Sequence, residues 1–238
     1  MLNIILKDHW IVNNPRGSII LDEIPIIAMT AVIFVLIFFF FQRHPIFPYS
    51  WFSSRFAATV FVILFCLWIL CEIANFRLSR KNSGIADQDR GSYRVVIIVS
   101  WAAVFAIFII RSLGIGVFSG SWQDIGFFVF ASGIALREWA VWVLGKHFTV
   151  RVQVRKEAKL VTSGPYRYIR HPSYTGSLLI KMGISLAVGT WIGTIFALAL
   201  SLIAHSYRIN IEEQALQGAF GSEWDDYKKR TWKLIPGF

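Results

Sequence analysis

Apolar runs of near-bilayer length recur along the chain, separated by short basic segments, and this pattern limits the folds open to it. Residues 24–41, 56–74, 95–110 and 125–144 form four such runs, and a fifth, 177–204, extends for 28 residues. A hydrocarbon layer of about 30 Å is crossed by about 20 helical residues. Backbone N–H and C=O groups inside it have no water to bond, which leaves helices or a closed barrel. Composition points the same way: 55% of the 238 residues are hydrophobic and 16% are charged, where soluble chains carry about 25% charged residues. The sequence therefore predicts an all-α, polytopic integral membrane protein with about four spanning helices and a C-terminal helical hairpin. A disordered chain, a disulfide scaffold and a freely soluble enzyme are excluded. Cys66 and Cys71 share one run, five positions apart, so on a helix they do not face each other and are expected to be packing residues. The first 23 residues mix charged and polar positions with short apolar patches and do not read as a cleavable signal peptide.

The hairpin is inferred from residues 177–204. As one helix this stretch would be about 42 Å long at 1.5 Å per residue. The sequence Gly189-Thr190-Trp191-Ile192-Gly193 at its middle favours a turn instead, with two arms of about a dozen residues. A turn returns the chain to its side of entry, so the polar segments before and after it share one membrane face. Charge supports this. Residues 75–94 carry Arg77, Arg80, Lys81, Arg90 and Arg94, residues 146–173 carry seven Lys or Arg, and the tail adds Lys228, Lys229, Arg230 and Lys233. The loops at 42–55 and 111–123 hold only Arg43, Arg55 and Arg111. The basic segments and both termini are accordingly expected in the cytoplasm. The net charge of +10 then reflects membrane topology and anionic headgroups, not nucleic acid. A division follows into N-terminal transmembrane helices, 1–120, which could shape a lipid cavity, and a core, 121–238.

Two polar clusters could carry chemistry. Residues 146–174, KHFTVRVQVRKEAKLVTSGPYRYIRHPSY, alternate over FTVRVQV as a short extended stretch does, and Ser163-Gly164-Pro165 signals a turn. Pro165 and Pro172 are expected to hold this loop in a non-helical path. On composition alone the segment is equally a basic interfacial loop. The second cluster, His205, Arg208, Glu212 and Glu213, puts its first three members on one helical stripe. As a surface ion pair, Arg208 and Glu212 would contribute a few tenths of a kcal/mol; at a span end, beside another polar loop, they are functional candidates. Arg137 and Glu138 are expected to form an intramembrane pair. His147 and His171 have no Cys partner and no ligand spacing, so no metal is expected.

The run GPYRYIRHPSYTG at 164–176, then Glu212-Glu213, then FGSEWDDYKKR at 220–230, resembles the isoprenylcysteine carboxyl methyltransferase family and the related phospholipid methyltransferases. The likeness covers roughly residues 133–238, starting near Leu136-Arg137. It implies an S-adenosylmethionine-dependent membrane enzyme with a cytoplasmic cofactor pocket. By position it implies that Gln153, Ala158, Lys159, Leu160, Val161, Tyr166, His171, Pro172, Ser173, Tyr174 and Glu212 line the cofactor pocket. Arg208 and Glu212 would be the catalytic pair, with Arg208 on the substrate side. The chemistry is compatible: Tyr166 and Tyr174 can form an aromatic wall, His171 and the backbone near Leu160 can offer polar contacts, and Glu212 can hold an ammonium. The glycine-rich strand-turn-helix of soluble dinucleotide sites is absent from the sequence.

Methyl transfer to a carboxylate consumes opposite charges and needs alignment and dehydration more than acid–base help. A planar, permanently charged arginine suits a carboxylate acceptor. The expected function is carboxyl methylation of a lipophilic acid such as an isoprenylcysteine, with membrane lipid and a prenylated or other lipophilic substrate as partners. Lipid-amine N-methylation, an NADPH-dependent sterol-type reductase using Arg155, Lys156 and Lys159, and a transporter or scaffold are the alternatives. Single cysteines at Lys159 and Lys229 in a Cys66/Cys71-free background are expected to react with impermeant maleimide from the same side; labelling from opposite sides would remove both the hairpin and the shared site.

Overall fold

The computed structural model describes residues 51–82, 89–152, 159–235 and Gly237; the expected span at 24–41 lies outside them. The described chain is built from α1 (Arg55–Asn82), α2 (Ser92–Ser112), α3 (Ser121–Leu144), α4 (Pro172–Val188), α5 (Trp191–Phe220) and α6 (Ser222–Arg230). Short 3-10 turns lie at Gly145–His147 and Gly164–Arg167. Among the described residues there is no strand, and residues 148–152 of the expected extended stretch are irregular. Four helical segments are long and apolar enough to cross a membrane: α1, α2, α3 continued to His147, and α5. The all-α membrane architecture expected from the sequence is therefore present.

The C-terminal hairpin is present as well, with unequal arms. Its arms are 17 and 30 residues long, where the apolar stretch alone suggested about a dozen each. Two local causes account for the difference. Pro172 occupies the first position of α4, where its fixed φ suits a helix and its missing N–H costs nothing; it starts a helix where a non-helical path was expected. Pro165 likewise opens the 3-10 turn. At the other end, α5 runs past Ala204 to Phe220, so the polar stripe from His205 onward extends the span without a break. Between the arms, Gly189 takes a left-handed conformation (φ +79°) that ends α4, its N–H donating to Ser185 O and Leu186 O. Thr190 then caps α5, its Oγ1 accepting from Gly193 N at 3.1 Å.

Helix α3 packs against α4 more extensively than any other pair, and α5 closes on α2 and α4. Four glycines explain how closely α3 and α4 approach. A Cβ on Gly126 would lie 2.3 Å from Ala187 N, on Gly183 2.3 Å from Phe130 N, on Gly133 2.6 Å from Ile180 N, and on Gly176 2.8 Å from Arg137 N. Each helix contributes a pair seven residues apart, so each face has two points where its backbone is uncovered. In lipid, where apolar surface gives helices little reason to associate, such small-residue faces supply close van der Waals packing instead. Gly183→Ala is expected to destabilise the detergent-solubilised protein by about 1–3 kcal/mol. Gly218→Ala, with no neighbour within 4 Å, should be neutral or stabilising by about 0.5–1 kcal/mol. Thermal unfolding of both variants checks the contrast; equal behaviour would show that the seam is not tight.

Candidate functional site

The polar ends of the helices meet at one end of the bundle, around the N-terminus of α4. His171 stands just before that helix, and its carbonyl accepts from Tyr174 N and Thr175 N at 3.1 and 3.2 Å. The C-terminal tail fastens the approach to it. Arg170 N donates to Trp232 O (2.8 Å), Trp232 N to Tyr168 O (2.9 Å) and His171 N to Lys233 O (3.2 Å). Thr175 Oγ1 donates to Leu234 O, and Tyr227 of α6 donates its hydroxyl to Tyr166 O at 2.7 Å. The backbone on either side of Arg170-His171 is thus held by the tail and by α6.

The hairpin brings His171 and Tyr174 of one arm against the stripe on the other. His171 Nε2–H donates to Glu213 Oε1 at 3.1 Å, and its Nδ1 lies 3.9 Å from Glu212 Oε2. Arg170 Nε donates to the same Glu213 oxygen at 3.2 Å. The Tyr174 hydroxyl donates to Glu212 Oε2 at 2.8 Å and accepts from Arg208 Nε at 3.1 Å. It therefore stands between the two residues that the i,i+4 spacing would have paired directly. Arg208 is buried and uses its other nitrogens inward, donating to Asp89, to Ser92 Oγ at 2.6 Å and to Val150 O. Burial alone would raise the Asp89 carboxyl, but Arg208 and the backbone N–H groups of Tyr93 and Val152 outweigh it and hold it below the usual carboxylate range. Burial pushes the Tyr166 phenol well up, with the Glu212 carboxylate adding to the effect, so this ring is a neutral wall.

A second ion pair supports the first from below. Arg137 of α3 meets Glu72 of α1 through two bonds, Nε to Oε1 at 2.6 Å and Nη2 to Oε2 at 2.8 Å, and reaches Ser173 Oγ at 2.9 Å. Trp68 Nε1 donates to the same Glu72 carboxylate at 3.0 Å. The expected Arg137–Glu138 pair is replaced by this cross-helix arrangement, and Glu138 instead accepts from Asn75 Nδ2 at 2.9 Å. Neighbours in sequence point about 100° apart on a helix, so Arg137 and Glu138 find partners at different positions on α1.

Of the residues singled out by sequence, the structure gathers His171, Pro172, Ser173, Tyr174, Arg208 and Glu212 into one connected group. Tyr166 lies within electrostatic reach of Glu212 and Tyr174. Lys159 is exposed, Leu160 and Val161 are half-buried, and all three precede the Gly164 turn. Gln153 and Ala158 lie outside the described residues. Asp89, Ser92, Glu72 and Asn75 were missed. An acidic residue inside an apolar run, Glu72, was the available signal for one pair; Asp89 gave none, because only the fold brings it to Arg208.

Residues 125–218 match the isoprenylcysteine carboxyl methyltransferase family. Among individual relatives, protein-S-isoprenylcysteine O-methyltransferase B of Arabidopsis thaliana is 31% identical over 119 residues, 48% of this chain and 59% of that protein. The corresponding Schizosaccharomyces pombe protein is 33% identical over 106 residues (44% and 45%), and the Mus musculus protein 36% over 114 residues (47% and 40%). The chain thus spans less than two thirds of the length of each of these relatives. In fold it is similar to a eukaryotic intramembrane Ras methyltransferase, isoprenylcysteine carboxyl methyltransferase, with a TM-score of 0.56 and 23% identity over 79% of this chain and 70% of that one. The matched segment begins in α3 and ends in α5, so it contains the glycine seam, the hairpin and both sides of the His171–Glu213 contact.

The Glu72–Arg137 pair yields a prediction. Glu72→Gln leaves a buried guanidinium without its counter-charge and should cost about 3 kcal/mol, whereas Glu72→Gln combined with Arg137→Met should recover most of that loss. A double-mutant cycle by thermal unfolding measures it; additive losses would show that the two residues do not act as a pair.

Proposed function

We propose that this chain is an integral membrane methyltransferase that uses S-adenosylmethionine to methylate the carboxylate of a lipophilic acid such as an isoprenylcysteine, with its active site on the cytoplasmic face. The observation that carries this proposal is the His171–Tyr174–Glu212–Arg208 group at the open end of a membrane hairpin, inside the segment that matches the family. The residues fit the cofactor's chemistry. Glu212 gives one oxygen to Tyr174, keeps the other without a hydrogen-bond partner among the described residues, and has a side chain 33% exposed: it is a carboxylate available to an ammonium. Tyr166 and His171 bring aromatic rings to the site, and Tyr174 stacks on His171 with centroids 5.7 Å apart. When bound, S-adenosylmethionine supplies an electrophilic methyl group.

The chain's own residues hold and dehydrate. Tyr174 fixes the orientation of Glu212, and Arg208 fixes Tyr174. Glu213 holds the His171 ring by accepting from its Nε2–H, while Pro172 and the docked tail keep the backbone at His171 in place. A reaction of this kind gains chiefly from alignment, which can lower a barrier by several kcal/mol, and rigid placement of each group by a second residue serves that end. Arg208, expected from its charge to grip the acceptor, is matched by Asp89; its proposed part is to position Tyr174 and to tie α5 to residues 89–92 and 150. The basic segments at this end support a cytoplasmic orientation.

Calorimetry of the full chain in detergent with chelator present is expected to show S-adenosylmethionine binding. Glu212→Gln should weaken it by about 10–150-fold, the loss of one charge-assisted contact. Silence with S-adenosylmethionine and a clear signal with NADPH would overturn the assignment.

A further inference from the structure

Deeper in the hairpin than Glu212, two polar side chains of α5 are buried without partners. Ser201 Oγ and both ring nitrogens of His205 have no hydrogen-bond partner among the described residues, although the two residues are only 1% and 2% exposed. They are four residues apart and so share a face. On α4, Lys181 is 2% exposed, and its Nζ donates to Ser177 Oγ at 2.7 Å and Ser177 O at 3.3 Å. The arms of an antiparallel hairpin rise equally from their turn, so residues at equal distance from 189–190 stand level. That puts Ser201 within one residue of the level of Ser177, and His205 level with Tyr174, whose ring stacks on it at 5.0 Å. Lys181, reaching back toward Ser177, lies within electrostatic range of His205.

The distribution of charge makes this cluster unlike the rest of the buried end. Arg137 is matched by Glu72 and Arg208 by Asp89. Lys181 has no carboxylate within ion-pair distance among the described residues; a hydroxyl and a carbonyl are all that receive it. A buried ammonium without a counter-ion and a buried imidazole and hydroxyl without bonds are each costly. One ligand removes all three costs: a singly charged anion with two acceptor oxygens. Lys181 can carry the matching positive charge when an anion is beside it, His205 offers a ring N–H and Ser201 an O–H. A carboxylate matches that set in charge and in number of acceptors, whereas a phosphate dianion would leave a negative charge uncompensated.

We propose that Lys181, His205 and Ser201 form the receptor for the carboxylate head of a lipophilic acid, beneath Tyr174 on the membrane side of the Glu212 site. This rests on the methyltransferase proposal for the acid's role as methyl acceptor, and it moves the acceptor's counter-ion from Arg208 to Lys181. The head group would lie beside His205, which stacks on Tyr174, and Glu212 stands seven residues beyond His205 along α5, about 10 Å at 1.5 Å per residue.

The test uses the full chain in lipid nanodiscs and two probes, an S-farnesylated N-acetylcysteine and its carboxamide, with binding measured by calorimetry and methyl transfer followed in parallel. The wild type is expected to bind the acid about 10–150-fold more tightly than the amide. Lys181→Met should bring the two to parity while leaving amide and S-adenosylmethionine affinities unchanged, which also shows that the variant is folded. Should Lys181→Met not fold, His205→Phe and Ser201→Ala carry the same test through a several-fold loss of acid preference. Equal wild-type affinity for acid and amide, or a preference that survives these substitutions, overturns the proposal. Methyl transfer without acid preference removes the receptor and spares the enzyme; acid preference through Lys181 without methyl transfer supports the receptor and removes the enzyme.

Discussion

Close contact along the α3–α4 seam sets where the polar groups at the start of α4 stand. Because Gly126, Gly133, Gly176 and Gly183 carry no side chain, the backbone of each helix comes within contact distance of the other at four points. Gly176 seats directly on Arg137, and that approach brings the Arg137 guanidinium to Ser173 in the first turn of α4. A helix held further off by even a methyl group would leave Arg137 short of this contact. The seam is therefore both the main packing interface and the ruler that fixes the start of α4, where His171 and Tyr174 stand.

Charge buried in an apolar setting imposes the next layer of order. Two arginines inside the bundle are each met by a carboxylate from a different part of the chain: Arg137 on α3 by Glu72 on α1, and Arg208 on α5 by Asp89 ahead of α2. Such pairs add little net stability over well-packed apolar groups, but breaking one is costly because it strands a charge. In this bundle they act as registration marks. Arg208 admits one arrangement of residues 89–92 and 150, and Arg137 admits one placement of α1 against α3.

The docked tail gives the site a backbone frame on its open side. Residues 231–234 follow the span as a short extended segment that pairs with residues 168–171 and 175, and α6 adds the Tyr227 bond to Tyr166. The loop before α4 thereby gains partners for N–H and C=O groups that would otherwise depend on water at the membrane surface. The tail, which in sequence contributes basic residues and a motif, is in the fold part of the frame around His171.

How far the sequence alone reaches depends on whether a feature is periodic or pairwise. The helical class, the runs at 56–74, 95–110 and 125–144, and the hairpin turn at Gly189-Thr190 were legible, because apolar length and glycine conformation are local properties that the bilayer and the backbone enforce. The motif residues His171, Tyr174, Arg208 and Glu212 were legible as a set through order and spacing. Their partners were not. Asp89 and Arg208 are 119 residues apart, and Glu72 and Arg137 are 65 apart; an acidic residue within an apolar run marks Glu72 as needing a partner without naming it, and no local pattern marks Asp89 at all. The i,i+4 spacing suggested that Arg208 meets Glu212, while packing of the hairpin arms inserts the Tyr174 hydroxyl between them. Sequence thus determined which segments are helices and which side chains share a helical face, since both follow from repeat length along one chain. Tertiary structure alone decided which charges are matched, and that Ser201 and His205 find no hydrogen-bond partner among the described residues, because satisfaction of a buried polar group depends on what the other helices bring within about 3 Å.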